Sequence, residues 1–254
     1  MADNPSVMRP RFYVPDLDPR VPTAALPADE ARHLTRVMRL KAGDEIAVFD
    51  GRGHEFRARV AAAAKDRVQV ELMEPVSPVP EARVPLTLVQ AVLKGDGMDG
   101  VVRDSTMMGV AAIDPIITAR TIGPLRALES GRARERWARI AVSSAKQCRR
   151  ATVPAIRQGH SFTHWLALDG PGLRLILVEP SASAGTEQSL HFLESHAPAS
   201  LSLLVGPEGG WTSDERQQAE AGGCVPVTLG ALTLRADATA LAAIAIVRFV
   251  MKDL

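Results

Sequence analysis

Two segments in the last third of the chain have residue types and spacing suited to a nucleotide-like ligand. The segment 203–211 has the sequence LLVGPEGGW, and the segment 229–235 has the sequence LGALTLR. In each of them an apolar run ends in a turn-forming stretch, and a helix-like pattern follows. Glycine lets the backbone approach a ligand closely, so bare N–H and C=O groups can recognise an adenine and a ribose. Two such turns, one helix apart, predict a backbone-lined binding site.

The sequence around these segments alternates predicted strands with predicted helices, which is typical of a parallel α/β sheet. The strand-length apolar runs occupy 86–92, 111–118, 173–178, 201–205 and 225–229. Ligands of open parallel sheets bind outside the carboxyl ends of the strands. The run that ends in Val178-Glu179-Pro180 therefore adds these three residues to the candidate site.

Three stretches between and after these runs show helix signals. Apolar residues recur at helical spacing from Arg134 to Cys148. Thr212–Glu215 is a capping box, and the pair of glycines at 222–223 predicts the end of the helix that it begins. The alanine-rich segment 238–251 predicts a buried closing helix.

The first part of the chain is predicted to be mostly β. Glu45–Phe49 and His54–Val60 flank the turn signal Asp50-Gly51-Arg52-Gly53 and predict a hairpin. Arg67–Leu72 alternates polar and apolar residues, which indicates a half-buried strand. Between these elements and the chain start, the pattern over 28–40 is helical. It puts three arginines at i, i+4 and i+7, so their guanidinium groups project from one face: Arg32, Arg36 and Arg39.

A proline-rich stretch, 74–85, separates the two parts. Its four prolines neither continue a helix nor donate to a sheet ladder, so the stretch is typical of a linker. We therefore expect an N-terminal domain over 1–74, a linker over 75–85 and a C-terminal domain over 86–254.

Bulk composition excludes several protein classes. The chain has 254 residues, 46% hydrophobic residues and a net charge of +1. No stretch approaches the roughly 18 apolar residues of a membrane span, and the start lacks an apolar signal-peptide core. Cys148 and Cys224 form no CxxC pair. We expect a cytoplasmic protein with no membrane partner. His160 and His164 lack an accompanying HExxH motif, so we expect no metal site.

Basic residues are concentrated in one stretch despite the small net charge. The segment 126–150 contains eight Lys and Arg residues against two glutamates. Phosphate contacts require such a local basic surface, whatever the total charge. The alternative is an ordinary solvated helix face.

The motifs together resemble the bacterial 16S ribosomal RNA uridine-N3 methyltransferase family, which belongs to the trefoil-knotted (SPOUT) class of S-adenosylmethionine enzymes. Its cofactor turns are similar to GPEGG at 206–210 and to LG and LRADATA at 229–240. Five further motifs extend the resemblance over nearly the whole chain: RFYV at 11–14, HL and VMR at 33–39, KGD and MD at 94–99, GV at 109–110, and QCRR at 147–150. The resemblance implies an α/β protein: a small PUA-like β-barrel followed by a knotted parallel-sheet domain. It alone implies the knot.

The same resemblance implies which residues bind the cofactor and the RNA. S-adenosyl-L-methionine would contact the strand ends at Val178, Glu179, Pro180, Gly206, Pro207, Glu208, Gly210, Leu229, Gly230, Leu232 and Leu234. The RNA would contact basic residues of both parts: Arg11, Arg32, Arg36, Arg39, Lys94, Arg149 and Arg150. The implied protein is a homodimer acting on 16S ribosomal RNA, and we expect an assembled small subunit as its substrate.

Methyl transfer to a uracil nitrogen needs in-line approach and loss of the N–H proton. Arg235 directly follows the second turn, so it could pair with uracil oxygens or a phosphate, or form a structural ion pair. Asp237 stands where the family usually has glutamate, and it could be the base or favour the N-terminus of the last helix. Glu208 could bind backbone amides instead of doing chemistry.

The chain departs from the family pattern at four positions. Lys146 stands where glutamate is usual, Asp104 and Met107 replace a lysine and a glutamate, and Asp237 is the shorter acid. These changes keep two alternatives open: a knotted methyltransferase for another RNA position, and a non-enzymatic RNA-binding assembly factor. A nucleotide hydrolase is disfavoured because the chain has no GxxxxGK[ST] loop.

Overall fold

The computed structural model describes residues 9–64, 66–122, 128–168, 170, 172–180, 188–195 and 198–253. Contacts within the chain divide it into two units. The first unit consists of Met1–Glu81 and Ala145–Val153, and the second consists of Ala82–Ser144 and Pro154–Leu254. The stretch 145–153 thus groups with the first unit, whereas the sequence suggested one continuous domain over 86–254.

The first unit is built on a five-stranded sheet. Its strands are β1 (Arg11–Tyr13), β2 (Thr23–Ala25), β3 (Glu45–Phe49), β4 (Glu55–Ala64) and β5 (Arg67–Pro75). The strand order is β1-β3-β4-β5-β2, with β1 parallel to β3 and the other pairs antiparallel. Phe49 pairs with Glu55, which confirms the predicted hairpin. The segment 76–85, within the predicted linker, contains no helix or strand.

A short helix, α1 (Ala28–Arg32), contributes to the core of the first unit. Phe12, Leu34 and Ile46 are fully buried there. Phe12 and Ile46 belong to strands, whose alternate residues point to one face of the sheet. Each such side chain contributes roughly 1.5–3 kcal/mol by leaving water. The core therefore accounts for the alternation in the sequence.

The predicted helix over 28–40 is wrong beyond Arg32. His33–Val37 forms a π-helix, in which the Met38 N–H donates to the His33 carbonyl at 3.0 Å. Arg39 then takes a left-handed conformation with φ 56°. The wider turn and this reversal change the spacing, so the three arginines do not follow a single α-helical face. Arg32, Arg36 and Arg39 are nevertheless all exposed.

Arg11 is a structural residue of the first unit and not an exposed RNA contact. Its side chain is 6% exposed and pairs with Glu55 at 2.7 Å. The same guanidinium donates to the carbonyls of Ala145, Lys146 and Arg150 at 2.9–3.0 Å. The last carbonyls of a helix have no partner within it, so Arg11 caps the helix that ends at Cys148. We therefore remove Arg11 from the predicted RNA-binding set.

Arg150 and Lys146 also have structural partners in the first unit. Arg150 is 5% exposed and pairs with Glu81, its Nε lying 3.1 Å from Oε1. Because it is buried, Arg150 leaves the predicted RNA-binding set as well. Lys146 Nζ lies 2.8 Å from Glu30 Oε2 and 5.3 Å from the Phe12 ring centroid. Lys146, which departs from the family pattern, thus has an acidic partner supplied by α1.

The second unit is built on an eight-stranded sheet in which every described pairing is parallel. Its strands are β6 (Leu86–Ala91), β7 (Ala112–Ile117), β8 (Ala155–Ile156), β9 (His160–Ser161), β10 (Leu173–Leu177), β11 (Gln188–Ser189), β12 (Leu201–Val205) and β13 (Cys224–Thr228). The order is β11-β13-β10-β12-β6-β7-β8, with β9 also beside β7. Each predicted apolar run forms one of these strands. The trefoil knot stays a prediction.

The remaining helices are α2 (Gly97–Met107), α3 (Arg132–Cys148), α4 (Phe162–Ala167), α5 (Ser213–Ala221) and α6 (Ala236–Val250), with a 3₁₀ helix at Leu190–Ser195. The predicted capping box begins α5, and Gly222 is its C-cap. The predicted burial of α6 is wrong on one face, because Leu241, Ile246 and Phe249 are 37%, 37% and 73% exposed. No helix in the described part of the chain has the length and apolar character that crossing a membrane requires.

A buried charge cluster fixes the end of α6. Arg248, 2% exposed, donates to the carbonyls of Val84 and Gly109 at 2.9 and 2.6 Å. Asp253 accepts from the Arg83 guanidinium at 3.0 Å and lies 3.6 Å from Arg248. Burial alone raises the pKa of Asp253, but hydrogen bonds from Arg83 and from the backbone of Arg83 and Val84 outweigh it. The pKa therefore lies below its ordinary 3.8.

Arg11→Ala is expected to lower the free energy of unfolding by about 3 kcal/mol, because Glu55 and the helix carbonyls lose their buried partner. Arg20→Ala is the matched control: Arg20 pairs with Asp18 and its side chain is 88% exposed, so solvent screens this pair and the loss should be much smaller than that of Arg11→Ala. Urea unfolding measures both. Equal stabilities would contradict the structural role of Arg11.

Asp253→Asn is expected to lower the free energy of unfolding by roughly 1–2 kcal/mol at pH 7. A carboxylate whose pKa is lowered in the folded state stabilises it above the unfolded pKa of about 3.9. This stabilisation is lost as the pH falls through the folded pKa. Urea unfolding of both proteins across pH 7 to pH 2.5 should show the difference shrinking in acid. A difference independent of pH would show that the charge of Asp253 contributes nothing.

Candidate functional site

A cavity of about 380 Å³ lies at the carboxyl ends of four neighbouring strands of the second unit. These strands are β13, β10, β12 and β6, in the order in which they pair. Each strand is followed by a turn that lines the cavity: 229 onward after β13, 178–180 after β10, 206–211 after β12 and 93–97 after β6. The cavity therefore lies at the carboxyl ends of the strands, where the sequence predicts a binding site.

The turn after β12 is fixed by the indole ring of Trp211. The Trp211 Nε1–H donates to the Leu177 carbonyl at 2.9 Å, and the side chain is packed beside Phe162 with ring centroids 5.2 Å apart. A Cβ atom placed on Gly206 would lie 3.2 Å from this indole. Glycine at 206 thus lets the turn approach Trp211 closely, which joins the ends of β12 and β10.

Two features favour glycine at position 210. Its φ is +67°, a conformation that L side chains rarely adopt. A Cβ atom there would lie only 2.6 Å from Glu179 Oε1. Both residues line the cavity, so the Glu179 carboxylate occupies the space that the missing side chain leaves.

Glu208 links two of the turns through a backbone amide. Its Oε1 accepts from the Lys94 N–H at 2.9 Å. Lys94 follows β6, and Glu208 follows β12, so this bond joins the ends of paired strands. The geometry favours the amide-binding role among the two that the sequence left open for Glu208.

The second glycine-containing segment leads directly into α6. Arg235 is the N-cap residue of this helix, and its side chain is 88% exposed. Arg235 Nε lies 3.4 Å from Asp237 Oδ1, which also accepts from the Ala238 N–H at 3.0 Å. Leu232 and Leu234 line the cavity although they are 79% and 40% exposed. The two candidate catalytic residues therefore contact each other at the cavity.

The structure brings together nearly all the residues predicted to bind a cofactor. Of that set, Gly230 alone is outside the cavity lining. Its φ of +113° is a conformation that glycine adopts easily, so Gly230 allows the chain to turn after β13. Arg235 and Asp237 line the cavity, as does Lys94 from the predicted RNA-binding set.

The other predicted RNA contacts that remain are on exposed surfaces. Arg149, like Arg32, Arg36 and Arg39 of the first unit, is exposed. Arg132, Arg134, Arg136 and Arg139 of the basic stretch are also exposed, and Arg136 pairs with Asp99. Arg126 lies outside the described residues.

Sequence reasoning missed several lining residues. The largest group follows β6 and consists of Leu93, Asp96 and Gly97; Thr233 and Thr239 lie near Arg235. The run 86–92 was predicted as a strand, so the rule that ligands bind at carboxyl ends could have identified the residues after it. Sequence reasoning lacked only the strand order, which puts β6 beside β12.

In the described part of the chain, histidine, cysteine and carboxylate side chains form no group of three or more that could hold a metal ion. The rings of His160 and His164 stack with centroids 4.5 Å apart.

Comparison with known proteins identifies both parts of the chain. A model described as an RNA methyltransferase domain matches residues 80–248, and one described as an RNA methyltransferase PUA domain matches residues 26–73. Ribosomal RNA small subunit methyltransferase E of Synechocystis sp. is 34% identical over 84% of this chain and 69% of its own. The Bacillus subtilis protein of the same name is 28% identical over 90% of each chain.

Solved structures agree with these matches over almost the whole chain. A ribosomal RNA small subunit methyltransferase E from Neisseria gonorrhoeae, bound to S-adenosyl methionine, has a TM-score of 0.82 and 32% identity, covering 95% of this chain and 98% of its own. A putative methyltransferase from Legionella pneumophila, in complex with the cofactor SAM, has a TM-score of 0.85 and 25% identity, covering 96% and 98%. The chain therefore belongs to the RNA methyltransferase family, as its motifs predicted.

Proposed function

We propose that this protein transfers a methyl group from S-adenosyl-L-methionine to N3 of a uridine in 16S ribosomal RNA of the small subunit. The observation that supports this best is the cavity at the ends of four parallel strands, lined by the turns that resemble the cofactor turns of the family. The relatives named above are ribosomal RNA small subunit methyltransferases. The uridine and its N3 atom come from the motif resemblance.

The residues of the cavity fit S-adenosyl-L-methionine. The cavity volume of about 380 Å³ lies in the range of small-ligand sites. The turns at 178–180, 206–210 and 229–234 offer backbone N–H and C=O groups, and the Glu179 carboxylate can accept from hydroxyl or amino groups. A Cβ atom at position 210 would lie 2.6 Å from Glu179 Oε1 and would displace this carboxylate. When bound, the cofactor supplies an electrophilic methyl group.

Arg235 and Asp237 can together act on the uracil ring. The exposed Arg235 guanidinium can donate to a uracil oxygen and stabilise the charge that develops when N3 loses its proton. Asp237 Oδ2 has no bond to the helix amide that Oδ1 accepts from, so the carboxylate retains capacity to receive that proton. The base must be unpaired or flipped out to reach these groups.

We assign RNA docking to the exposed basic residues of both units. Arg32, Arg36 and Arg39 lie within residues 26–73, which the PUA model matches. Lys94 and Arg149 are the other exposed residues of the predicted RNA-binding set. Phosphate contacts give most of the affinity and are sensitive to salt. The first unit would thus dock the RNA while the second transfers the methyl group, and we expect this reaction to take place in the cytoplasm.

We further propose that the protein is a homodimer. The face of α6 formed by Leu241, Ile246 and Phe249 is apolar and exposed, and the same helix begins at the cavity. A second copy would remove this face from water. Phe249→Glu should convert a dimer to a monomer in sedimentation equilibrium, whereas Val21→Glu, at another exposed apolar residue, should not. A monomeric unmodified protein would contradict the proposal.

Methyl transfer to undermethylated small ribosomal subunits tests the function directly. Labelled S-adenosylmethionine and mass spectrometry of the nucleosides should show N3-methyluridine. Gly210→Ala should weaken cofactor binding by about tenfold or more, because its Cβ would meet Glu179 and strain the turn. Gly43→Ala is a control for glycine strain, since its φ is +97° with nothing within 4 Å.

The outcomes of this experiment separate the candidate functions. A methylated nucleoside other than N3-methyluridine would favour a methyltransferase for another RNA position. Binding of cofactor and RNA without transfer would favour a non-enzymatic assembly factor. Absence of cofactor binding would overturn the proposed function.

Asp237→Asn is expected to lower kcat by about 100-fold if Asp237 receives the N3 proton, and the loss should flatten the pH profile. If Asp237 merely favours the N-terminus of α6, kcat should be unchanged and the stability loss should be about 0.5 kcal/mol. Arg235→Ala should lower kcat by a similar factor, with partial retention in Arg235→Lys. Full activity of Arg235→Ala would remove it from the mechanism.

A further inference from the structure

The segment Thr118–Thr121, which follows β7, is outside the cavity lining yet bonds to the turn that lines it. We infer that Arg120 is a positioning residue that holds the turn Gly206–Trp211 in its cofactor-binding conformation. The inference rests on the proposed function for the identity of the ligand. Arg120 is not among the residues predicted from the sequence to bind the cofactor or the RNA.

Arg120 contacts the outer side of the turn with both its guanidinium group and the aliphatic part of its side chain. Its Nη1–H group donates to the Gly209 carbonyl at 2.7 Å and approaches the Trp211 carbonyl at 3.4 Å. A Cβ atom placed on Gly209 would lie 3.2 Å from Arg120 Cβ and 3.4 Å from its Cδ. The absence of a side chain at Gly209 is what lets Arg120 lie against the turn.

Glu215 fixes the backbone on both sides of this contact. Its Oε1 accepts from the Ala119 N–H at 2.7 Å. Its Oε2 accepts from the N–H and the hydroxyl of Thr212 at 2.9 and 3.1 Å. Glu215 is buried. Its carboxylate therefore fixes the backbone positions of Ala119, which precedes Arg120, and of Thr212, which follows Trp211.

These bonds connect strands that are not neighbours. β6 lies between β7 and β12 in the sheet, so no backbone ladder joins the segment after β7 to the turn after β12. The side chains of Arg120 and Glu215 make this connection across the end of β6.

The turn needs support from outside because its inner side has to remain open for a ligand. Gly206, Glu208 and Gly210 line the cavity, and glycines at 209 and 210 give the free turn many conformations. If the turn were not fixed beforehand, ligand binding would have to order it, and the affinity would fall. Two carbonyls bound by one guanidinium reduce that cost.

Arg120→Ala is expected to weaken S-adenosylmethionine binding in calorimetry by about tenfold, with KM for the cofactor rising in parallel and kcat largely retained. Arg120→Lys should be intermediate, because an ammonium group is a compact point donor and not a fork. Without any ligand, hydrogen exchange of the Gly210 amide, which donates to the Pro207 carbonyl at 2.9 Å, should accelerate in Arg120→Ala.

Arg174→Ala is the matched control. Arg174 also donates to two backbone carbonyls in the second unit, those of Leu166 and Leu168, but it does not line the cavity or contact the turn. Its loss should lower thermal stability while leaving cofactor affinity and Gly210 exchange unchanged.

The possible results separate this inference from the proposed function. Unchanged affinity and unchanged Gly210 exchange in Arg120→Ala would overturn it, and so would an equal loss of affinity in Arg174→Ala. If the unmodified protein bound no S-adenosylmethionine, the proposed function would fail. The exchange measurement would then still decide whether Arg120 holds the turn, so the two failures are distinguishable.

Discussion

The parallel pairing of β13, β10, β12 and β6 is the constraint on which the whole site depends. Parallel neighbours end at the same edge of a sheet, so four turns from distant parts of the chain converge there. An antiparallel strand would put its turn at the opposite edge. The strands are mostly apolar, as is typical of parallel sheets, whose two faces are both covered. The requirement for burial thus produces the pattern that reveals the site in the sequence.

Convergence alone would not give a defined site, because the turns contain flexible glycines. Their conformations are set by side chains that bind backbone groups of other turns: Trp211 binds Leu177, Glu208 binds Lys94, and Arg120 binds Gly209. Each bond joins a different pair of strand ends. Glycine leaves the backbone accessible to a ligand, and long polar side chains restore the rigidity that glycine lacks.

Local features of the fold were predictable because their causes are local. The Glu45–Phe49 strand, the capping box at Thr212 and the strand at 201–205 all follow from residues that are close in sequence. The π-helix at His33–Val37 was not predictable, because hydrophobic spacing does not distinguish a wider turn from an α-helix. The exposed face of α6 was missed because an alanine-rich apolar helix has the same composition whether or not a partner covers it.

The roles of the charged residues required the structure, because their partners are distant in sequence. Glu55 is 44 residues from Arg11, Glu81 is 69 residues from Arg150, and Glu30 is 116 residues from Lys146. A basic residue that pairs within its own unit offers little charge to RNA. An exposed arginine without such a partner can contact a phosphate with its full charge. The pair formed by Lys146 and Glu30 also explains why a basic residue at 146 is tolerated: α1 supplies the opposite charge. This departure from the family pattern is therefore accounted for by packing in the first unit, and it gives no reason to assign a different reaction to the second.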